Sequence, residues 1–298
     1  MKLMKGVIVA MTTPFAEDGG VDLGAMRENT KWLVEKGIPC LYPCGTTGEM
    51  LLMDADERKQ VAETVVKAAD GKSDVFVQCG AMTTRETLDL VRHAKSIGAD
   101  GVGVVTPAYF GLSEDEMLEH YRAVSKCAGE DFPIYLYNIP QCAANDLTLS
   151  LCKKITHDCP NVLGIKYSFN NADRISDYLS LRDFSFSVLV GLERHYLPYL
   201  SIGCQGVVSG CANAFPEVFL ALDEAFRKGD LKEALRLQRI VEKLTLLISG
   251  PQSNARVKAA QRYRGQNSGH MRRPLLDISA AEEAAFLPQL AQFLPENW

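Results

Sequence analysis

A lysine at the end of a short apolar run is the residue of this sequence best suited to covalent chemistry. Lys166 closes the run 162–165 and is followed by Tyr167 and Ser168. An amine in apolar surroundings is desolvated, and a lysine that loses its proton near neutral pH becomes a nucleophile toward carbonyl carbons. The run therefore predicts a lysine that forms a Schiff base. A strand-end lysine that extends to solvent is the ordinary alternative.

Polar residues that could assist such a lysine follow two earlier apolar runs. Thr46 and Thr47 have a glycine on either side, and such a turn can hold a small carboxylate with hydroxyls and backbone amides. Tyr137 ends a run about one strand–helix unit before Lys166, and a tyrosine hydroxyl held against other hydroxyls can pass a proton. Taken singly, these residue types are also common in turns and in amphipathic packing.

Eight apolar runs of strand length alternate with segments in which apolar residues have helical spacing. The runs are 7–11, 39–44, 75–79, 101–106, 134–137, 162–166, 187–192 and 206–211. Apolar strands separated by helices indicate a parallel sheet covered on its outer face, and eight such units favour an α/β fold of the closed (β/α)8 TIM barrel type. The alternative is a doubly wound open sheet, which usually has a glycine-rich nucleotide turn. No G-x-G-x-x-G or P-loop motif is present.

The last quarter of the chain has helical patterns and no further strand. We predict a barrel over residues 1–225 and a C-terminal helical extension over 226–298, packed on the barrel and not an independent domain, because no linker separates them. Gly37, Gly98 and Gly203 each end a helical segment and predict helix C-caps. A barrel carries its active site at the C-terminal ends of its strands, so the residues that end the apolar runs are expected to meet there.

Composition and charge narrow the range of partners. The net charge of −5 leaves no basic surplus, so neither nucleic acid nor an anionic membrane is an expected partner. The apolar stretch near the N-terminus is better explained as a first strand than as a signal peptide, and no stretch reaches membrane-spanning length. Nine scattered cysteines are typical of reduced thiols in a cytoplasmic protein. The five histidines lack ligand spacing, and no metal is expected.

Five short motifs resemble one family over essentially the full chain, the pyruvate-dependent class I aldolases typified by dihydrodipicolinate synthase and N-acetylneuraminate lyase. Each motif is short, but all five occur in order and at the expected strand ends, which makes the resemblance specific. In chain order they are Gly45-Thr46-Thr47-Gly48-Glu49, Thr106-Pro107-Ala108-Tyr109, Tyr137-Asn138-Ile139-Pro140, Gly164-Ile165-Lys166, and Gly206-Val207-Val208-Ser209-Gly210 with Asn213.

The resemblance implies a lyase in which Lys166 alone forms a covalent bond to the substrate. This lysine would form an iminium with pyruvate, so that no further cofactor is needed. Tyr137 would carry protons, while Thr46 and Thr47 would hold the pyruvate carboxylate and link Tyr137 to Tyr109 in a relay.

The resemblance also implies an oligomer. The tyrosine at the position of Tyr109 commonly reaches in from a neighbouring subunit, which implies a homotetramer built as a dimer of dimers. The backbone at Val208 would close over the pyruvate end of the site.

The chain departs from both typical members at the positions that meet the aldehyde. Synthases of the dihydrodipicolinate type have an arginine two positions after the proline of the Tyr-Asn-x-Pro motif, where this chain has Cys142, and a thiol does not replace a bidentate guanidinium. Neuraminate lyases have an apolar residue there and an acidic pair after the glycine of the seventh strand. Here Gly191 is followed by Leu192, Glu193 and Arg194.

We therefore expect small-molecule substrates of the 2-oxo sugar acid class, such as N-acetylneuraminate or 2-keto-3-deoxygluconate, cleaved to pyruvate and an aldehyde. Ser168, Gly191, Glu193 and Arg194 would surround the distal hydroxyls or acid. The alternatives are a 4-hydroxy-tetrahydrodipicolinate synthase, which joins pyruvate to aspartate semialdehyde, and a sugar-acid dehydratase that uses the same lysine. A non-catalytic binding protein on the same scaffold is a further alternative, against which the intact Lys166 and its assisting residues argue.

Overall fold

A closed barrel of eight parallel strands, paired in chain order, forms the centre of the molecule. The computed structural model describes residues 1–297. The first and last strands close the barrel by pairing Gly6 with Gly206 and Val9 with Ser209. The strands are β1 (Gly6–Ala10), β2 (Cys40–Tyr42), β3 (Asp74–Gln78), β4 (Gly101–Val105), β5 (Ile134–Asn138), β6 (Val162–Tyr167), β7 (Ser187–Val190) and β8 (Gly206–Ser209). The predicted TIM barrel is confirmed.

All eight predicted runs contain a strand, but several predicted ends were wrong by one or two residues. The runs that begin at residues 39, 187 and 206 were predicted too long, because their last apolar residues leave the sheet for the loops at the C-terminal face. After β7 and β8 the chain enters short 3₁₀ turns, Glu193–His195 and Cys211–Asn213. Apolar residues that continue past the last strand pairing explain why apolar character overestimated these strands.

Helices surround the barrel and follow each strand. They are α1 (Leu23–Glu35), α2 (Ala55–Ala69), α3 (Thr84–Ser96), α4 (Glu114–Ala128), α5 (Leu149–Asp158), α6 (Ala172–Leu179), α7 (Tyr196–Ser201) and α8 (Pro216–Arg227). Most of these helices are preceded by an N-cap residue whose side chain accepts a hydrogen bond from the third amide of the helix. This bond satisfies one of the free N-terminal amides. The glycines predicted as C-caps, Gly37, Gly98 and Gly203, all have positive φ.

Two apolar layers hold the barrel together. The larger one lies between the strands and the helices, where the outward faces of the strands meet buried helix residues such as Leu33, Val61 and Leu90. The smaller one fills the inside of the barrel with Met4, Ile8, Tyr42, Phe76, Tyr135 and Leu189 among others. The barrel is therefore a packed core, open to ligands only at its end.

The extension consists of α9 (Leu231–Ile248), α10 (Ser253–Tyr263) and α11 (Ala280–Phe286), followed by 3₁₀ turns. The predicted boundary after residue 225 lies inside α8, which continues to Arg227. One face of α9 and most of α10 are buried, including Leu237, Leu244 and Ala259. The extension therefore packs with one face of α9 and with most of α10 against the rest of the chain.

All nine cysteines are free thiols, seven of them buried. Within residues 1–297, none of the helices combines the length and the apolar character needed to cross a membrane. The same residues contain no group of three or more histidine, cysteine, aspartate or glutamate side chains arranged to hold a metal ion.

Candidate active site

Lys166 is buried at the C-terminal face of the barrel, with only 5% of its surface exposed. It lies on β6 between Tyr137 on β5 and Leu189 on β7, its partners in the sheet. Its Nζ is 3.9 Å from the centroid of the Tyr137 ring and 5.0 Å from that of Tyr42. No carboxylate among residues 1–297 forms an ion pair with this amine, so it is available to a ligand.

The hydroxyl of Tyr137 connects the lysine to the turn after β2. It lies 3.2 Å from Thr46 Oγ1, within hydrogen-bond distance, while the ring itself is 98% buried between β4 and β6. Tyr42, below the lysine, has a hydroxyl without a hydrogen-bond partner among the described residues, and burial raises its pKa well above the ordinary value for a phenol. Tyr137 is thus the phenol of this pair that is linked to another hydroxyl.

The turn that carries Thr46 and Thr47 has a fixed backbone. Glu49 N donates to Thr46 O at 3.1 Å, and Glu49 has a left-handed φ of 59°. Thr13 Oγ1 donates to Gly48 O at 2.8 Å, which ties the turn to the end of β1. Such a compact turn presents its hydroxyls and amides toward one small acceptor.

A cavity of about 490 Å³ opens at these residues. It is lined by eight of the ten residues that the sequence predicts for the site, namely Thr46, Thr47, Tyr137, Lys166, Ser168, Gly191, Glu193 and Val208. The strands therefore bring most of the predicted site together. A nucleophilic amine, a phenol linked to a hydroxyl and a turn with free donors in one cavity are the groups needed for imine chemistry on a small 2-oxo acid.

Glu193 lines the cavity, but protein donors already surround its carboxylate. Oε1 accepts from Ser209 Oγ at 2.6 Å and from the amide of Cys211 at 2.9 Å, while Oε2 accepts from Cys211 Sγ at 3.3 Å and from Thr245 Oγ1 at 3.5 Å. Burial raises the pKa of the Cys211 thiol well above its ordinary value, which keeps it a donor. This carboxylate therefore joins the end of β8 to α9.

Ser168 and Gly191 are packed against each other in the loops that follow β6 and β7. A Cβ atom on residue 191 would lie 2.0 Å from Ser168 Oγ, so only glycine fits beside this serine. The carbonyl of Ser168 accepts a hydrogen bond from Gln141 Nε2 at 2.7 Å. Gln141 also lines the cavity, and its side-chain carbonyl has no protein partner among residues 1–297.

Tyr109 and Arg194 are the two predicted site residues that do not line this cavity. Tyr109 is 81% exposed, has a positive φ of 76° and packs only against the ring of Phe110, which is also exposed. Arg194 is exposed and has no ion-pair or hydrogen-bond partner among the described residues. The expectation that Arg194 contacts the substrate is therefore not supported by its position within one chain.

Cys142 belongs to a neighbouring cleft. This second cavity, about 240 Å³, is mostly apolar and shares Thr46, Ile139 and Asn254 with the first. Cys142 is exposed on its wall, whereas Ile139 and Gln141 of the loop after β5 line the larger cavity. Cys142, at the position where the synthases have an arginine, therefore lies beside the larger cavity and does not line it.

The extension supplies one wall of the larger cavity, which the sequence reasoning missed. The contributing residues are Thr245, Ile248, Ser249, Gly250, Ser253, Asn254 and Val257. Asn254 Nδ2 donates to Thr46 O at 3.3 Å, so α10 also touches the turn itself. One signal was available, since Lys258 has the apolar neighbours Val257 and Ala259 in the sequence, as Lys166 follows apolar residues.

The model of the dihydrodipicolinate synthetase family matches residues 3–292. An uncharacterised DapA-like lyase of Pyrococcus horikoshii is 38% identical over 266 residues, covering 88% of this chain and 91% of that protein. A 4-hydroxy-tetrahydrodipicolinate synthase of Rhizobium meliloti is 34% identical over 277 residues, covering 93% of this chain and 94% of its own length.

Among solved structures, a sialic acid aldolase of Ruminococcus gnavus, described as a catalytic lysine mutant, superimposes with a TM-score of 0.92. It is 28% identical and covers 98% of this chain and 96% of its own. The similar proteins thus include both a synthase and a sialic acid aldolase, and they agree on the fold.

Proposed function

Because this chain belongs to the dihydrodipicolinate synthetase family, whose members are aldolases and lyases, we propose that it makes or cleaves the bond between pyruvate and an aldehyde through a Schiff base on Lys166. The observation that carries the proposal is the arrangement of Lys166, Tyr137 and Thr46 within one cavity. The sialic acid aldolase of similar fold, which has a catalytic lysine, supports the assignment.

In the cleavage direction, Lys166 Nζ adds to the keto carbon of a 2-oxo acid, and loss of water gives an iminium. Tyr137 takes the proton of the substrate's 4-hydroxyl. The bond between C3 and C4 then breaks, its electron pair passes into the iminium to give an enamine, and the aldehyde leaves. Protonation of the enamine and hydrolysis return pyruvate and the free lysine. The enzyme therefore needs no cofactor in this proposal.

The substrate carboxylate would be held by the turn after β2. The hydroxyls of Thr46 and Thr47 line the cavity, and Val208 on β8 faces the same space. Hydroxyl and amide donors suit a single carboxylate. Tyr137, bonded to Thr46, would then stand between the carboxylate site and the reacting carbon.

The charge of the cavity favours a sugar-like aldehyde over a carboxylated one. Among residues 1–297, Lys166 and Glu193 are the only charged side chains that line it, and Glu193 is already bonded to protein donors. The remaining polar groups are hydroxyls and amides, including Gln141, Ser168 and Ser253. We therefore propose a 2-oxo sugar acid of the N-acetylneuraminate or 2-keto-3-deoxygluconate type as the substrate.

Synthesis of 4-hydroxy-tetrahydrodipicolinate is the second candidate, because a relative with that activity in its name is 34% identical to this chain. That reaction joins pyruvate to aspartate semialdehyde, whose carboxylate needs a cationic partner. None of the described residues that line the larger cavity is an arginine, and Cys142 stands where the synthases have one. A dehydratase acting through the same lysine is the third candidate, since it would share every step up to the iminium.

We further propose that the active unit is a homotetramer, a dimer of dimers, in which Tyr109 of one subunit completes the relay of another. An aromatic side chain that is 81% exposed and held at a positive φ is typical of a residue presented to a partner. The free thiols support a reducing, cytoplasmic location.

Trapping the imine tests the proposed chemistry. Incubation with pyruvate and borohydride is expected to add one reduced pyruvate to Lys166, detected by peptide mass spectrometry. Lys166→Met is expected to abolish the adduct, while Lys126→Met, which removes an exposed lysine of α4, leaves it unchanged. An active protein that gives no adduct would refute the mechanism.

A substrate screen then separates the candidates. Pyruvate release is measured by a coupled assay over N-acetylneuraminate, 2-keto-3-deoxygluconate and related acids, with condensation of pyruvate and aspartate semialdehyde run in parallel. We expect release from a sugar acid. Activity only in the condensation identifies a synthase, and a product that keeps all carbon atoms without free pyruvate identifies a dehydratase.

A further inference from the structure

A buried ion pair joins the extension to the turn that carries Thr46 and Thr47. Lys258 on α10 donates from Nζ to Glu49 Oε1 at 2.6 Å, and both side chains are fully buried. Glu49 is the residue that ends the turn, and the two partners are far apart in the sequence. The pair is therefore a tertiary contact between the barrel and the extension.

Both members of the pair are completely engaged by the protein. Glu49 Oε2 accepts from the amide of Arg272 at 3.0 Å, and Lys258 Nζ also donates to the carbonyl of His270 at 2.6 Å while lying 4.8 Å from the centroid of the Phe15 ring. Burial lowers the pKa of Lys258, against the effect of Glu49. Both side chains are fully buried and neither residue lines the larger cavity, so neither charge is a ligand for the substrate.

One face of α10 contacts the site at several points. Asn254 and Lys258, four residues apart and therefore on the same side of the helix, reach Thr46 O and the carboxylate of Glu49. Gln261, one further turn along, accepts a hydrogen bond from Thr12 Oγ1 at 2.7 Å at the end of β1. The helix thus holds the turn after β2 and the end of β1 in fixed positions.

A buried ion pair is a poor device for stability alone, since apolar side chains of similar size usually do as well without the cost of desolvating two charges. The contribution of such a pair is to specify one arrangement, because the hydrogen-bonded charges fit only one relative position of the two elements that carry them. Here that position fixes a glutamate whose backbone is left-handed, two residues after Thr47. Strained and charged features are concentrated where the carboxylate site would be.

We infer that Lys258 and Glu49 are positioning residues through which the C-terminal extension fixes the Thr46–Thr47 turn for pyruvate. This inference rests on the proposed function for its ligand. It assigns to the extension a part in substrate binding that is separate from its part in folding.

The test compares the double variant Glu49→Gln/Lys258→Met with the wild-type protein. The double variant buries no unpaired charge, whereas Lys258→Met alone strands a buried carboxylate and is expected to lose stability. Borohydride trapping over a range of pyruvate concentrations gives the half-saturating concentration. We expect it to rise about tenfold in the double variant, the effect of losing one charged hydrogen bond, with little change in the final extent of the adduct.

Hydrogen exchange followed by mass spectrometry supplies a readout that does not require pyruvate. Peptides that contain residues 45–50 are expected to exchange faster in the double variant at unchanged melting temperature. The matched control is Glu283→Gln, which removes one partner of the partly buried pair with Arg262 inside the extension.

The outcomes are distinct. Faster exchange with raised half-saturation, and neither in the control, supports the inference. Wild-type exchange and half-saturation in the folded double variant overturn it, as does an equal effect of Glu283→Gln. If the wild-type protein forms no adduct, the proposed function fails and the exchange of the turn still decides whether the pair positions it.

Discussion

The two ends of the cavity are built in different ways. The inner end consists of Lys166, Tyr137 and Val208, which are all at least 95% buried and lie in the paired strands of the barrel. The outer end consists of Gln141, Ser168, Ser249, Gly250 and Ser253, which lie in loops or at the start of α10. All of them except Ser168 are at least partly exposed.

The difference indicates that the inner end carries the reaction and that the outer end selects the substrate. Moving Lys166 or Tyr137 would require the barrel itself to change, because the register of β5 and β6 fixes their separation. Loop residues at the outer end can change without loss of any strand pairing, which is the usual way in which one barrel serves several substrates. We therefore expect substitutions at the inner end to affect the rate and those at the outer end to affect the choice of substrate.

The largest effect is expected for Tyr137→Phe. The ring remains against Lys166, but the proton carrier is lost, and kcat should fall by about 10³-fold, within the range for a general acid–base group. Steady-state kinetics with the substrate found in the screen measures it. Tyr121→Phe is the control, since it removes a buried hydroxyl that bonds Val104 O on the outer side of the barrel. If the two variants have similar kcat values, the inner end does not carry the chemistry.

A second effect concerns Tyr109, which extends the inner end across a subunit boundary in our proposal. Tyr109→Phe should lower kcat by about a hundredfold, the lower part of the same range, because the relay loses its last hydroxyl. Phe110→Leu alters the same exposed loop without removing a hydroxyl and should retain activity.

Mixing an impaired chain with an inactive one tests whether the site is shared. Co-expressed Tyr109→Phe and Lys166→Met chains should recover part of the activity, because some sites then take Lys166 from one chain and Tyr109 from the other. If the mixture stays inactive while the oligomer forms, Tyr109 serves only its own chain or none.

The sequence predicted the inner end well and the outer end poorly, for a physical reason. Strand ends are recorded locally, since an apolar run followed by a polar residue marks both the strand and the side of the barrel on which it ends. Lys166, Tyr137 and Thr46 could therefore be placed from their own neighbourhoods and from the family resemblance.

Contacts that depend on distant parts of the chain leave no such local mark. The wall formed by Ser249 and Asn254, and the pairing of Lys258 with Glu49, require knowing how the extension packs on the barrel. The commitment of Glu193 to Ser209, Cys211 and Thr245 was equally hidden, because these donors come from three different elements or their ends. The sequence could place Glu193 at the site, but it could not predict which groups its carboxylate binds.

A moderate effect is expected at the outer end for Gln141→Ala. Its free side-chain carbonyl is available to a substrate hydroxyl, and one neutral hydrogen bond is worth about 1 kcal/mol, so KM should rise about fivefold with kcat nearly unchanged. The half-saturating pyruvate concentration in the trapping assay should not change. Gln289→Ala, an exposed glutamine near the C-terminus, is the control. A loss in pyruvate trapping would contradict the division between the two ends.

The smallest effect is expected for Arg194→Ala. Arg194 was predicted from the sequence as an anchor for a distal acid, but its side chain is exposed and does not line the cavity. An exposed arginine without a partner contributes little, so kcat/KM for the true substrate should change by less than about twofold. An anchoring role would instead cost about 1.5–3 kcal/mol, a loss of more than tenfold that the same kinetics would detect. Such a loss would mean that the substrate extends past Glu193 to the surface, and the uncharged outer end proposed for this cavity would then have to include a cation.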